Sequence, residues 1–384
     1  MGGYTVQTVQ AATGANRPTG GRRRVTIADV ARDLGVTKST VSRALNGYPD
    51  IAETTRLRVS RAADRLGYRP LAHAQAIRTG RVRSLGLVLQ IDDEDSARPF
   101  LADFIAGITQ AASAETWTVT IATAPTETEV RETLSRLVEE RKADGFILPR
   151  TLLNDTRVEV LRAQNVPFIM FGRTADPTGC AWYDIKGEDA MRAATTRLAA
   201  LGHSRIAHVP GGAEYTYSKL RLEGYRDGLA AAGLAFDPDL IAAPAMTRRE
   251  GGAQSRALLA LHEPPTAITF AVDRAALGAY EAARDLNLRI GADLSIIAYD
   301  GIPEGAYADP GLTTFAVNSR QAGERLARLL IARIRGAAPE DLRELAPATL
   351  VERGSDRPPR LTSHQLARHL STDPNSDVPW EEPK

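Results

Sequence analysis

From Leu85 onward the chain repeats one pattern: a short apolar run bounded by Gly, Pro or polar residues, then a longer stretch with apolar residues at helical spacing. SLGLVLQI, WTVTIATA, ADGFILP and VPFIMFG read as buried strands, with PFLADFIAGITQAASA and ETEVRETLSRLVEER as helices between them. After Asp184 the same order returns. Helices EDAMRAATTRLAALGH, LRLEGYRDGLAAAG and ALGAYEAARDLN accompany strands RIAHVPG, AITFAV and DLSIIAYD. Strands and helices in alternation pack as doubly wound parallel sheets, and the repetition predicts two of them.

The first eighty residues do not follow that pattern, and their charge differs too. Arg22 to Arg83 hold 14 Lys/Arg against 5 Asp/Glu, while the whole chain of 384 residues carries only +1. The remainder from Ser84 is therefore acidic, at −9. A basic segment of this size on an acidic body suits a nucleic-acid module joined to a sensor. At 43% hydrophobic and 25% charged residues, the composition is that of a soluble globular protein. The single Cys180 cannot form an intramolecular disulfide, which fits a reducing cytoplasm. No apolar run of about 18 residues and no signal-like start is read, and residues 1–21 are expected to be a disordered leader.

Within the basic segment, Thr26 and Asp29 form a capping-box pair ahead of Ile27, Val30, Ala31 and Leu34 at helical spacing. Gly35 stops that helix, and Thr37 can cap a second one with Val41, Ala44 and Leu45 inside and Asn46-Gly47 at its end. Two short helices joined so tightly cross steeply, which predicts a helix-turn-helix. A third helix is expected from Ala52 to Leu66, with Leu57, Val59, Ala62, Ala63 and Leu66 on its core side. The second helix leaves Lys38, Ser39 and Arg43 free to meet base edges in a major groove. Thr40, Asn46, Tyr48 and Arg56 are expected to meet phosphates.

VTIADVARDLGVTKSTVSRALNG, then IAETTRLRVSRAADRLGYRP, then the lead into RVRSLGLVL resemble the lactose/galactose repressor (LacI/GalR) family of bacterial transcriptional regulators, from Val25 to about Gly354. The resemblance implies an all-α helix-turn-helix domain on an α/β body of the type I periplasmic-binding-protein kind, with a ligand cleft between two lobes. It implies a DNA-binding domain at 22–69, a hinge at 70–83, one lobe at 84–184 plus 313–339, the other at 185–312 plus 340–355, and a tail at 356–384. It places Ile77 as an apolar minor-groove wedge in the hinge, where Leu is more usual; Gln75 and Leu71 also depart from the usual Arg and Asn. In the cleft it places Arg221 and Asp273 on the effector, as a fork of donors beside a set of acceptors suited to a polyol. Arg173, Asp184, Tyr217 and Met246 complete the implied effector set, with Tyr215 beside Tyr217 as a second ring. Val272 stands where Asn is common, and Met246 where many members have an aromatic. The implied protein is a ligand-responsive regulator, expected to be a repressor, that binds a palindromic operator in double-stranded DNA as a homodimer. Its effector is expected to be a small carbohydrate, with no cofactor, no metal and no membrane.

The rival readings are weaker. The sequence has no phosphate loop, no Gly-x-Ser-x-Gly elbow and no His-Glu-x-x-His pair, so no catalytic residue is assigned. His203 and His208 flank a strand without forming a metal set, and Asp300-Gly301 reads as a turn after a strand. A transport-type sugar-binding protein shares the body fold but has no use for the basic domain. Leu361, Leu366 and Leu370 do not sustain a heptad, so no tetramerising coiled coil is expected in the tail.

Overall fold

The computed structural model describes residues 25–69, 80–91 and 99–371, in two compact units divided after Gly80. The expected leader, Ile77 and most of the expected hinge lie outside the described residues.

The first unit is three helices, α1 (Ile27–Leu34), α2 (Lys38–Leu45) and α3 (Glu53–Leu66). The Asp29 carboxylate accepts from the Thr26 N–H and hydroxyl at 2.9 and 2.7 Å, closing the start of α1. Gly35 ends it at φ +66°, a left-handed conformation that a side chain would resist. Thr37 Oγ1 accepts from Thr40 N at 3.0 Å and starts α2. Val30, Ala31, Val41, Ala44, Val59 and Ala62 form the shared core. Leu57 departs from expectation. It is 52% exposed, because Val59, Ala62 and Ala63 already supply the inward face of α3.

The second unit has two sheets. The first runs in the order β10-β5-β4-β3-β1-β2 and is wholly parallel. Its strands are β1 (Ser84–Gln90), β2 (Thr118–Ala124), β3 (Gly145–Pro149), β4 (Phe168–Phe171), β5 (Trp182–Ile185) and β10 (Arg343–Ala346). Helices α4 (Pro99–Ala114), α5 (Glu127–Glu139), α6 (Thr156–Ala163) and α11 (Ser319–Ile334) complete that lobe. The second sheet, β11-β9-β8-β7-β6, joins β6 (Ile206–Val209), β7 (Ala267–Phe270), β8 (Ser295–Asp300) and β9 (Thr313–Ala316) in parallel, with β11 (Thr349–Val351) antiparallel at its edge. Around it lie α7 (Gly187–Ala200), α8 (Thr216–Ala231), α9 (Arg248–Leu259), α10 (Asp273–Asp285) and α12 (Ser363–Ser371). β3, β6 and β7 are buried along their whole length, as parallel strands covered on both faces must be. No helix among the described residues is long and apolar enough to cross a membrane.

Two expected boundaries need correction. Residues 313–316 form β9 of the second sheet, in register with β8 from Ile297↔Thr313, and do not join the first lobe. Residues 343–346 form β10 of the first sheet, with Leu345 opposite Asp184 on β5. The chain therefore crosses between lobes after β5, after β9 and after β10. Four-residue strands such as TTFA and RELA have no side-chain pattern that names their sheet; hydrogen-bond pairing decides it.

Residues 356–371 of the expected tail are docked on the second lobe. Arg197 Nε donates to Asp356 at 2.6 Å, and His203 Nε2 meets the Arg357 carbonyl at 2.9 Å. α12 then seats Leu366, 0% exposed, in the second-lobe core with Leu361 and Leu370 beside it. Too short for a heptad seam, the leucine stripe serves intramolecular docking.

Candidate functional site

On the surface of the first unit, Lys38 and Ser39 are exposed at the first turn of α2. Arg43 is exposed one turn later, ion-paired with Asp50 and 5.5 Å from the Tyr48 ring centre. Both partners of that pair are 47% exposed, so it is worth about 1 kcal/mol at most and yields readily to a stronger acceptor. Thr40 is half-buried with its hydroxyl 2.9 Å from that of Thr37, and Asn46 donates to Ser42 at 3.3 Å. Tyr48 is 42% exposed and Arg56 is half-buried. The sequence-predicted contact residues thus lie on and just beyond α2, with Arg56 on α3, and Ile77 is outside the described residues.

In the second unit a cavity of about 690 Å³ opens between the lobes at the carboxyl ends of their strands. Arg221, one turn into α8 and 8% exposed, is part of its wall. Its guanidinium stands 3.6 Å from the Tyr299 ring centre and 4.4 Å from that of Tyr217. The two rings pack against the guanidinium, and its hydrogen bonds are made by its nitrogens. Nη1 donates to the Ala271 carbonyl and lies 3.9 Å from Asp300 Oδ1, while Nε is buried without a partner.

Asp300 ends β8 at φ +130°, a conformation that strains any residue with a side chain, and leaves 37% of its side chain open to the cavity. Enclosure pushes its carboxyl up to about 7; Arg221 opposes that shift and the nearby Asp273 adds to it. Arg173 Nε donates to Asp184 at 2.6 Å, and its Nη2 bonds both oxygens of Glu188 at 2.9 Å. The ends of β4 and β5 are thereby tied to the first turn of α7. Burial raises the Asp184 carboxyl while Arg173 pulls it down. Tyr217 stacks on Tyr215 at 5.4 Å and donates its hydroxyl to Met246 Sδ at 3.1 Å, a sulfur that also accepts from Gly212 N at 3.2 Å.

Asp273 requires a correction. It is 0% exposed and is not on the cavity wall. Its carboxylate accepts from Gly301 N at 2.8 Å, Ile302 N at 2.9 Å and Thr314 Oγ1 at 2.6 Å. These bonds hold the turn that follows Asp300, so the acceptor facing Arg221 in the cavity is Asp300.

These two features, a three-helix basic unit and a two-lobed body with a cleft, have known counterparts. Residues 26–70 match the model for bacterial regulatory proteins of the lacI family, and residues 195–355 match a periplasmic binding protein-like domain. The HTH-type transcriptional regulator AglR of Rhizobium meliloti (strain 1021) is 34% identical over 340 residues, 87% of this chain and 95% of that protein. The chain belongs to the lacI family. Among solved structures, a transcriptional regulator CelR–cellobiose complex is similar at 30% identity with a TM-score of 0.68, covering 86% of this chain and 100% of that one. A lac repressor dimer bound to operator and the anti-inducer ONPF is similar at 26% identity with a TM-score of 0.72, covering 87% and 100%.

This regulator's cleft brings together Arg221, Arg173, Asp184, Tyr217 and Met246 of the sequence-predicted set and adds Asp300, Tyr299 and Thr216. Asp300 was legible in principle, since the last residue of a parallel strand faces the crevice where such folds bind ligands. The turn reading of Asp300-Gly301 obscured it. Tyr299 and Thr216 carry no sequence signal of their own.

Proposed function

We propose that the regulator is a repressor that binds a palindromic operator as a homodimer and responds to a small carbohydrate held in the inter-lobe cleft. The observation that carries the effector class is Arg221, packed against the rings of Tyr217 and Tyr299 and 3.9 Å from Asp300. A guanidinium edge beside a carboxylate offers donors and acceptors together, and tyrosine rings suit the apolar face of a sugar. The cavity has the volume of a typical small-molecule site and is large enough for a disaccharide. The similar CelR structure is a complex with cellobiose, which supports the same class here.

Lys38, Ser39 and Arg43 are assigned to base edges, and Thr40, Asn46, Tyr48 and Arg56 to phosphates. Ile77 is assigned to the minor groove. Arg221, Asp300, Arg173, Asp184, Tyr217 and Met246 are assigned to the effector. One helix-turn-helix reads only a few base pairs, so two-fold pairing on a palindrome supplies the rest. The lac repressor dimer–operator structure supports that arrangement. The test is a thermal-shift screen of the full chain against mono- and disaccharides, with operator binding measured for each hit. A set of sugars that leaves the melting temperature unmoved overturns the carbohydrate assignment.

A further inference from the structure

The lobes are joined covalently where the chain crosses after β5, β9 and β10. They are also joined at a second place, through main-chain hydrogen bonds. Leu153 N donates to the Glu214 carbonyl at 2.9 Å, Thr216 N donates to the Thr151 carbonyl at 3.2 Å, and Leu152 faces Tyr215 in an antiparallel bridge. Residues 151–153 follow β3 of the first lobe, and residues 214–216 follow β6 of the second. β6 is the edge strand of its sheet opposite β11, so this link lies away from the crossings that leave β9 and enter β11.

Each half of the link is braced from its own side. Leu152 N donates to Asp155 at 3.3 Å, and Ser218, inside α8, donates its hydroxyl to the Gly211 carbonyl at 3.0 Å. Thr216 is the first residue of α8, the helix that carries Tyr217 and Arg221. The bond from Thr216 to Thr151 therefore sets that helix against residues 149–151, which form the facing wall of the cavity. In this arrangement Thr216 Oγ1 and Arg221 Nε are buried with no hydrogen-bond partner. A buried polar atom left without a partner carries a desolvation cost. Hydroxyls of a polyol in the cavity would supply partners to these two atoms and so favour the arrangement in which the link is made.

We infer that residues 151–153 and 214–216 form a main-chain latch that positions Tyr217 and Arg221 across the effector, so that cleft occupancy and lobe closure set each other. The effector half of this statement rests on the carbohydrate reading; the latch half does not. Leu152 and Tyr215 face each other at a site whose flanking residues, not the pair itself, share the hydrogen bonds. Cα atoms in such pairs lie about 4.5 Å apart, within disulfide range, and the native Cys180 is buried.

The experiment uses full-length L152C/Y215C, oxidised and reduced, on an operator selected from a random palindromic library. Oxidised protein should bind that operator at least about 5-fold differently from reduced protein, matching reduced protein saturated with the disaccharide found by the sugar screen. Equal operator affinity in the two redox states overturns the latch. If no disaccharide shifts the wild type, the carbohydrate reading has failed, and the redox comparison still decides the latch. A second variant, Thr216→Pro, removes one latch donor at a first helical position that accepts proline, after a Tyr215 backbone already extended at φ −89°, ψ 135°. It should weaken binding of the same disaccharide about 3- to 10-fold and shrink the operator response. A lower melting temperature with both of those unchanged would assign the bridge a merely structural role.

Discussion

Arg221 packs its guanidinium against the rings of Tyr217 and Tyr299, and this decides which replacements it tolerates. Lysine keeps the charge but has neither the flat faces nor the fork. Arg221→Lys should therefore weaken effector binding about 10-fold or more, as titration calorimetry with the disaccharide from the sugar screen would read. Asp300 is expected to show itself through pH. Its carboxyl is pushed up to about 7 in the native state, while an unfolded aspartate releases its proton near pH 3.9. Between about pH 4 and 7 the native state thus binds more protons than the unfolded chain, and stability falls as pH rises. Asp184 and Asp273 are also shifted upward, so the measurement is a difference. Asp300→Asn should lose less stability than wild type between pH 5 and pH 7.5, read as urea midpoints; parallel slopes would show that Asp300 does not titrate in this window. Asp273 teaches the complementary point. An acidic residue at a helix start looks the same in sequence whether it faces a ligand or, as here, three donors of its own chain.

At the scale of elements, periodicity carries most of the information. The three helices of the first unit and the strand–helix alternation of the body follow from apolar spacing, caps and glycine stops, because each is a local requirement of the backbone. α12 does not. The spacing of Leu361, Leu366 and Leu370 does not name the surface they meet, and only the second-lobe core gives Leu366 its place. Leu366→Ala should lower stability by about 2–5 kcal/mol, the usual range for a leucine removed from a packed core. An unchanged urea midpoint would return this segment to the status of a tail. The exchange of β9 and β10 between sheets was illegible for a related reason. A four-residue strand carries too little pattern to specify its partner, and pairing with β8 or β5 is a long-range choice.

For the whole molecule, the basic residues 22–83 and the acidic remainder divide the work between DNA and effector. Operator affinity should fall steeply with salt, by about 10³–10⁵ between 50 and 200 mM if each complex makes 6–10 phosphate contacts. Gel-shift titrations across that range test it, and a flat salt dependence would contradict groove binding. The sequence by itself determined the helix-turn-helix, the two-lobed α/β body and the presence of Arg221 in the cleft, since caps, apolar periods and a family-wide resemblance are all written in local order. Only the tertiary structure decided that Asp300 rather than Asp273 faces the cavity, that β9 and β10 change sheets, and that residues 151–153 meet residues 214–216 across the lobes. Those facts depend on which main-chain donors and acceptors find each other at long range, and the backbone groups that pair are the same whatever side chains they carry.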